Sequence, residues 1–329
     1  PGSVRKDPAR VRARVALAFP DLYEVGMSYL GQRILYAAVN ARPDLWAERA
    51  YAPAREVADI LRQRRAPLCT LESDTPLGDL DAVAFHVTHE LCYTNVLYML
   101  DLAGIPLRGA DRGPECPVVL AGGGCAFAAE PLAPFMDAMV LGDGEEALPE
   151  VLGRIADLRA AGASRAQLLA GLADIPGVYV PALFADRGPG LPPRPLDPGR
   201  ARVDKRVLAD LEAATPPLDQ VTAYADAVHD RLALEIARGC TRGCRFCQAG
   251  MLYRPVRERS PESLVEAARR TLAATGYEEL SLLSLSSGDY SALGRLFEDL
   301  TPPCRAELVS LALPSLRVGS VSPAIMERI

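Results

Sequence analysis

Apolar residues along this chain fall into two alternating patterns. Short continuous runs read as buried strands, and stretches with apolar positions three and four apart read as helices with one buried face. Arg14–Phe19 is an apolar run ending at Pro20 and predicts a buried strand. A helix over Ser28–Ala41 follows, with Ser28 as N-cap. Trp46–Tyr51 and Ala54–Arg65 repeat the pair, and Leu68–Leu71 is a third short strand candidate. Ala82–Val87 is a strand, followed by a helix over Glu90–Ala103. Pro117–Ala121 is the next strand, then a glycine turn, a helix near Glu130–Phe135 and a strand over Asp137–Leu141. Leu148, Val151, Leu152, Ile155 and Leu158 mark the buried face of the helix after it. Strands alternating with helices predict an α/β fold over residues 14–180. The expected form is a flavodoxin- or Rossmann-like doubly wound parallel sheet, with ligands at the carboxyl ends of its strands.

Residues 181–227 break the pattern. Eight of the 28 prolines fall within 181–220, which predicts a Pro-rich linker with one paired strand around Ala201–Leu208. From residue 228 the alternation returns. Arg231–Ile236 is a strand, and Pro261–Thr275 is a helix with Ser260 as N-cap, Pro at its first position and Glu262 in its first turn. Glu279–Leu285 is a strand, Tyr290–Leu300 a helix and Arg305–Leu313 a strand, and residues 322–329 open a further helix. Residues 228–329 therefore hold three β/α units.

The composition narrows the class. The 329 residues are 49% hydrophobic and 24% charged, enough for a sizeable core and too apolar for disorder. The net charge of −6 does not indicate a general nucleic-acid binder, although a local basic site stays open. No apolar run approaches the ~18 residues of a membrane helix. Only Lys6 and Lys205 are lysines, so 34 of the 36 basic residues are arginine, which lowers the meaning of any single Arg. No signal peptide precedes the first strand, and eight cysteines in such a chain point to metal or redox use in the cytoplasm before a disulfide framework.

The strongest chemistry lies in Arg238-Gly-Cys240-Thr-Arg-Gly-Cys244-Arg-Phe-Cys247, on the loop after a strand. Three thiolates at this spacing can hold three irons of a [4Fe–4S] cluster and leave the fourth iron open to a small ligand. Gly239 and Gly243 let the loop wrap the cluster. A structural zinc site wants four ligands, and neither a His nor a fourth Cys lies nearby. Six arginines stand within residues 238–259, fit either to balance a cluster and bind phosphate or to form a salt-bridged loop. Glu235 is placed to point into a barrel, and Glu258 to pair with a neighbouring Arg.

This motif, with an aromatic before its last Cys, resembles the radical S-adenosylmethionine superfamily. The resemblance implies the first half of a (β/α)6 partial TIM barrel. It also implies a cluster on Cys240, Cys244 and Cys247 that chelates S-adenosylmethionine and cleaves it to a 5′-deoxyadenosyl radical. Ser286, Ser287 and Gly288 stand where that family keeps a Gly-Gly-Glu stretch for the amino group, and Arg317 follows the third strand, where it can meet the carboxylate. An electron donor such as flavodoxin or ferredoxin is an implied partner. The substrate is unknown, and the outcome is methyl transfer or another radical modification.

The amino-terminal half resembles the cobalamin-binding domains attached to such enzymes. Gly122-Gly123-Gly124, Glu130-Pro131 and Asp137 to Glu145 carry that likeness, with Asp143 in place of the usual first Glu. Tyr23 stands where a D-x-H-x-x-G loop places the histidine below cobalt, so any bound cobalamin lacks that ligand; loss of cobalamin is the other reading. Thr88 and His89 can face the cofactor crevice, whereas His86 reads as a strand residue facing core or helix. Two other functions stay open. One is a methylthiotransferase-like modification of RNA or protein, in which Cys92 and Cys125 could serve a second cluster, although they read first as ordinary small residues. The other is a non-catalytic iron–sulfur protein. The family barrel has six units against three here, so the chain reads as a fragment expected to expose apolar barrel edges and to be poorly active alone.

Overall fold

A computed structural model describes residues 2–320 except 129, 189 and 215, together with 323–326. The chain divides into two compact units, one spanning Ser3–Val207 and a second that begins at Leu208 and takes in Gly2.

The first unit is built on a six-stranded sheet. Its strands are β1 (Ala13–Phe19), β2 (Leu45–Tyr51), β3 (Ala82–His86), β4 (Val118–Gly122), β5 (Ala138–Val140) and β6 (Val178–Tyr179), in the order β2-β1-β3-β4-β5-β6. Pairing is parallel from β2 through β5. β6 departs from the all-parallel expectation and runs antiparallel to β5. Apart from Arg14 and His86, the central strands are apolar because helices cover both faces. Helices Leu30–Asn40 and Gly144–Ala160 pack on each other and on β1 and β2. Ala58, Val96, Met99 and Leu100, from helices Arg55–Arg64 and Tyr93–Leu102, pack in one core with Phe85, Val119 and Met139 of the sheet.

Three local expectations change. Leu68–Leu71 forms no strand, only an isolated bridge between Cys69 and Pro76. Its amides are taken elsewhere, Leu68 by the Leu102 carbonyl and Leu71 by the Arg49 carbonyl. Ser28 is not an N-cap, because its hydroxyl donates to the Glu24 carbonyl at 2.7 Å and closes the short helix Tyr23–Gly26. Tyr29 precedes the next helix instead. Around Ala201–Leu208 the pairing reduces to one bridge, in which the Arg206 amide reaches the Leu141 carbonyl at 2.7 Å. A two-residue hairpin, β7 (Phe184–Ala185) with β8 (Arg194–Pro195), lies earlier in the Pro-rich segment.

The second unit carries a parallel sheet of β9 (Leu232–Glu235), β12 (Glu279–Leu283) and β13 (Ser310–Ala312), in the order β13-β12-β9. A separate ribbon pairs β10 (Ala237–Arg238) with β11 (Arg257–Glu258). Leu232, Leu234, Leu280 and Leu282 pack with Leu264 and Ala268 of helix Pro261–Thr275 and with Leu296 and Phe297 of helix Leu293–Ala306. The first helix starts as its sequence dictates, with the Ser260 side chain accepting from the Ser263 amide and Pro261 at the first position. The second runs beyond Leu300 through Pro302 and Pro303, since its buried stripe of Leu293, Leu296, Phe297 and Leu300 continues to Cys304. A short helix covers Pro323–Met326, and the rest of the expected terminal helix lies outside the described residues.

Asp137, just before β5, is a buried carboxylate shared by two arginines of the first unit. It receives Arg112 Nη1 at 3.1 Å, Arg165 Nη2 at 2.7 Å and the Val119 amide at 2.7 Å. The Arg112 and Asp137 side chains are 0% and 1% exposed, so removing the carboxylate strands a buried cation. Asp137→Ala is expected to destabilise the first unit by about 3–5 kcal/mol, read as a lowered denaturant midpoint. A midpoint within ~0.5 kcal/mol of the parent, the range of an ordinary surface change, contradicts this account.

Candidate active site and its strand-end loops

In the second unit the cysteine loop occupies residues 239–256, closed at its base by the β10–β11 ribbon. Gly239 opens it with φ +94°, and a Cβ there would lie 2.5 Å from the Tyr253 carbonyl oxygen and 2.6 Å from that of Pro255, so only glycine fits the crossing. Cys240, Cys244 and Cys247 are half-exposed free thiols, whereas Cys92 and Cys304 are buried. The Cys247 amide bonds to the Cys244 carbonyl at 3.0 Å, and the Arg242 amide points at Cys240 Sγ at 3.5 Å. A backbone N–H aimed at sulfur and three uncommitted soft donors on one loop suit an iron–sulfur cluster. Among the described residues no three His, Cys, Asp or Glu side chains converge on a single point.

The loops after β12 and β13 reach the same edge of the sheet. Ser287 is fully buried, its hydroxyl donating to the Leu282 carbonyl at 3.3 Å and its amide bonding to the Ser315 carbonyl. Gly288 packs against Ser320, so no side chain fits there. The Ser286 hydroxyl donates to Asp289 at 2.6 Å. Arg242 reaches the same carboxylate with two bonds, Nε to Oδ2 at 2.8 Å and Nη2 to Oδ1 at 2.5 Å, and Arg317 Nε lies 3.7 Å from Oδ2. Arg242 and the Ser286 hydroxyl hold the Asp289 carboxyl down to about 2. Ser286, Ser287, Gly288 and Arg317 are therefore brought to the cysteine loop, joined by a carboxylate that sequence reasoning did not single out. The one acidic residue in Ser284–Tyr290 was the available signal.

The six arginines separate into different jobs. Arg257 and Arg259 are buried and donate to the Leu208 and Ala214 carbonyls, both at 2.9 Å, so they hold the preceding segment. Arg238 makes a bidentate pair with Glu235, at 3.0 and 2.9 Å. Among the described residues Glu258 pairs with no Arg; it takes the amide and hydroxyl of Ser291. Arg245 is exposed and makes no hydrogen bond or ion pair among the described residues, next to Phe246 at 92% exposure.

In the first unit the predicted residues fall into two groups at the strand ends. Gly122 ends β4, its carbonyl accepting from the Val87 amide at 2.7 Å. Gly123 has φ +104°, and a Cβ there would lie 2.6 Å from the Val87 oxygen. Gly124 starts a 3₁₀ turn, and Thr88 follows β3 beside these glycines. Tyr23 lies on the other side of β1, its ring edge-on to Tyr51 with centroids 5.3 Å apart. Between the groups, at the point where the strand order reverses, stands His86. Its ring meets Tyr29 at 4.8 Å and Phe19 at 6.0 Å, and its buried Nδ1 has no hydrogen-bond partner among the described residues. Burial pushes the His86 imidazole down to about 4. Cys92 donates to the His89 carbonyl at 2.8 Å, and burial pushes the Cys92 and Cys125 thiols up. Both then stay protonated, as ordinary packed thiols do.

A family model described as Radical SAM proteins, N-terminal, matches residues 31–181, and one described as Radical SAM superfamily matches residues 234–303. Uncharacterized protein MJ0966 of Methanocaldococcus jannaschii is 23% identical over 285 residues, covering 86% of this chain and 51% of that protein. Among solved structures, the radical S-adenosylmethionine methyltransferase TsrM from Kitasatospora setae, with cobalamin and a [4Fe–4S] cluster bound, aligns with TM-score 0.56 at 16% identity. That alignment covers 89% of this chain and 53% of TsrM. The same enzyme with tryptophan and a SAM analogue bound aligns with TM-score 0.51 at 16% identity, over 89% and 52%. The chain thus spans about half the length of each relative, and the structural likeness is one of fold. Among the described residues no helix is long and apolar enough to cross a membrane.

His86 gives a direct check on the first strand-end crevice. Its depressed value means that the unfolded state binds a proton the native state refuses, so stability falls as pH drops from about 6.5 toward about 4. NMR titration is expected to place the His86 imidazole near 4, and His86→Phe to flatten that part of the stability profile. An ordinary midpoint near 6.5 would falsify the buried, unpartnered environment.

Proposed function

The chain belongs to the radical S-adenosylmethionine superfamily, and on that premise we propose that its cysteine loop holds a [4Fe–4S] cluster used to cleave S-adenosylmethionine reductively. The carrying observation is the grouping of Cys240, Cys244 and Cys247, half-exposed and free of disulfides, on one loop at the carboxyl end of β9. When bound, the cluster supplies the electron for cleavage and an open iron for the amino and carboxylate groups. The chain's own residues bind and orient. Within the Ser286–Gly288 stretch, Ser286 and Gly288 line the amino-group side, with Ser287 buried beneath them as the support of the turn, and Arg317 lines the carboxylate side, at loops already joined to the cysteine loop.

We assign residues 228–329 to this radical domain and 14–180 to a cobalamin-binding-like domain. In the latter, Tyr23, Thr88 and Gly122–Gly124 surround the strand-end edge. Their chemistry suits a flat cofactor held by backbone and rings, with no histidine from the first loop beneath cobalt. The neighbour solved with cobalamin supports that placement. The reaction proposed is methyl transfer or another radical modification in the cytoplasm, with an electron carrier such as flavodoxin or ferredoxin as partner.

Anaerobic reconstitution tests the reading. The protein is expected to take up iron and sulfide as a [4Fe–4S] complement and to form 5′-deoxyadenosine from S-adenosylmethionine under reduction. Cys244→Ala should lose both, and 5′-deoxyadenosine formation that survives this substitution overturns the assignment. Cobalt content and corrinoid absorbance test the first domain, and the absence of both after incubation with cobalamin refutes it there.

A further inference from the structure

We propose that Asp289 is a positioning residue for the cluster: through Arg242 it fixes the Cys240–Cys244 span against the rigid turn after β12. The inference rests on the reading that the three thiols ligate iron. Its basis is the convergence of three side chains from three different strand-end loops on one carboxylate.

The anchor is stiff. Ser287 is fully buried and Ser286 nearly so, the Asp289 amide bonds to the Ser286 carbonyl at 3.0 Å, and the Ser284 and Ser287 hydroxyls lie 3.1 Å apart. The tethered segment is not stiff. Residues 241–243, 245 and 246 are exposed, and Gly243 has φ +66° with open space around it. Within Thr241–Phe246, the side-chain bonds that leave the loop among the described residues are the two from Arg242, which cross 47 residues of sequence. An exposed ion pair is ordinarily worth little. This one is a two-pronged guanidinium–carboxylate contact, which fixes a plane as well as a distance, and Ser286 braces the same carboxylate. Arg242 also has the two thiols Cys240 and Cys244 on either side of it in sequence. By keeping the guanidinium in place, Asp289 therefore holds the backbone between two ligand positions. Holding Arg242 removes freedom that ligand binding would otherwise have to remove.

The test uses the reconstituted 329-residue chain, its Asp289→Ala, Asp289→Asn and Arg242→Ala variants, and the double variant Arg242→Ala/Asp289→Ala. The readout is the rate of iron release to a ferrous chelator, with thermal melts run in parallel. Each alanine variant is expected to release iron about tenfold faster, within the coupling range of contacting charged residues, and the double variant no faster than the faster single. Asp289→Asn keeps the shape and loses the charge, so it guards against a variant that fails to fold; it is expected to release iron faster than the parent at an unchanged melting temperature. Parental release rates in Asp289→Ala and Asp289→Asn overturn the proposal, as does a double variant whose effect is the product of the singles. A lowered melting temperature with an unchanged release rate in Asp289→Asn also overturns it, because it marks a purely structural role. If the parent chain itself takes up no iron, the cluster reading falls and this proposal with it, an outcome distinct from iron uptake with unaltered release.

Discussion

Parallel pairing is the constraint on which both halves of this chain depend. A parallel ladder cannot be closed by a tight turn, so each strand must be followed by a crossover that returns to the opposite end of the sheet. The loops that leave the carboxyl ends therefore gather on one edge, whatever their sequences. In the second unit this brings the segments after β9, β12 and β13 together, although they come from widely separated parts of the chain. In the first unit it sets the glycines after β4 beside His86 and Thr88, with Tyr23 across β1. The helices need only cover the faces, and the edge is left to residues chosen for chemistry.

The arginine excess is largely absorbed by structure. A guanidinium carries five donors, and when buried it can satisfy several acceptors at once. Arg112 does so with Asp137 and three backbone carbonyls, and Arg49 and Arg14 with Glu72 and Glu48. Arg257 and Arg259 do the same for backbone carbonyls near residues 208–214. These side chains replace hydrogen bonds that irregular segments would otherwise lose on burial. On the cysteine loop the pattern changes, because Arg242 and Arg245 stay exposed beside the thiols. An arginine-rich composition thus says little about function until burial separates the structural guanidiniums from those facing the reactive edge.

What could be read in advance follows the range of the interaction that decides it. Strands such as Ala13–Phe19 and Val118–Gly122 announce themselves because burial on both faces requires continuous apolar runs. The start of helix Pro261–Thr275 was legible because Ser260 and Pro261 act on their immediate neighbours. Leu68–Leu71 was not legible as a loop, since its amides are claimed by Leu102 and Arg49, far along the chain. Ser28 looked like a cap only because its competing acceptor at Glu24 is a matter of geometry. The site divides the same way. Three cysteines within eight residues are a local signal, whereas Asp289 acquires its meaning from Arg242 and Arg317, neither of them near it in sequence.

The two strand-end edges also differ in the ligand chemistry they favour. In the first, Tyr29 and a neutral imidazole at His86 offer flat, uncharged faces backed by the buried Phe19 ring, and Gly123 lets backbone approach closely. Such a surface rewards a broad apolar ring system and gives little to a compact ion. In the second, thiols, serine hydroxyls, two guanidiniums and a firmly ionised carboxylate stand together. That set rewards a ligand carrying both signs of charge, and its cost is loop freedom, since exposed charged side chains hold position only when they hold one another. Fold likeness at 16% identity does not by itself decide chemistry. The separation of an apolar edge from a charged one, each set by particular residues, is what makes two different cofactors on one chain physically reasonable.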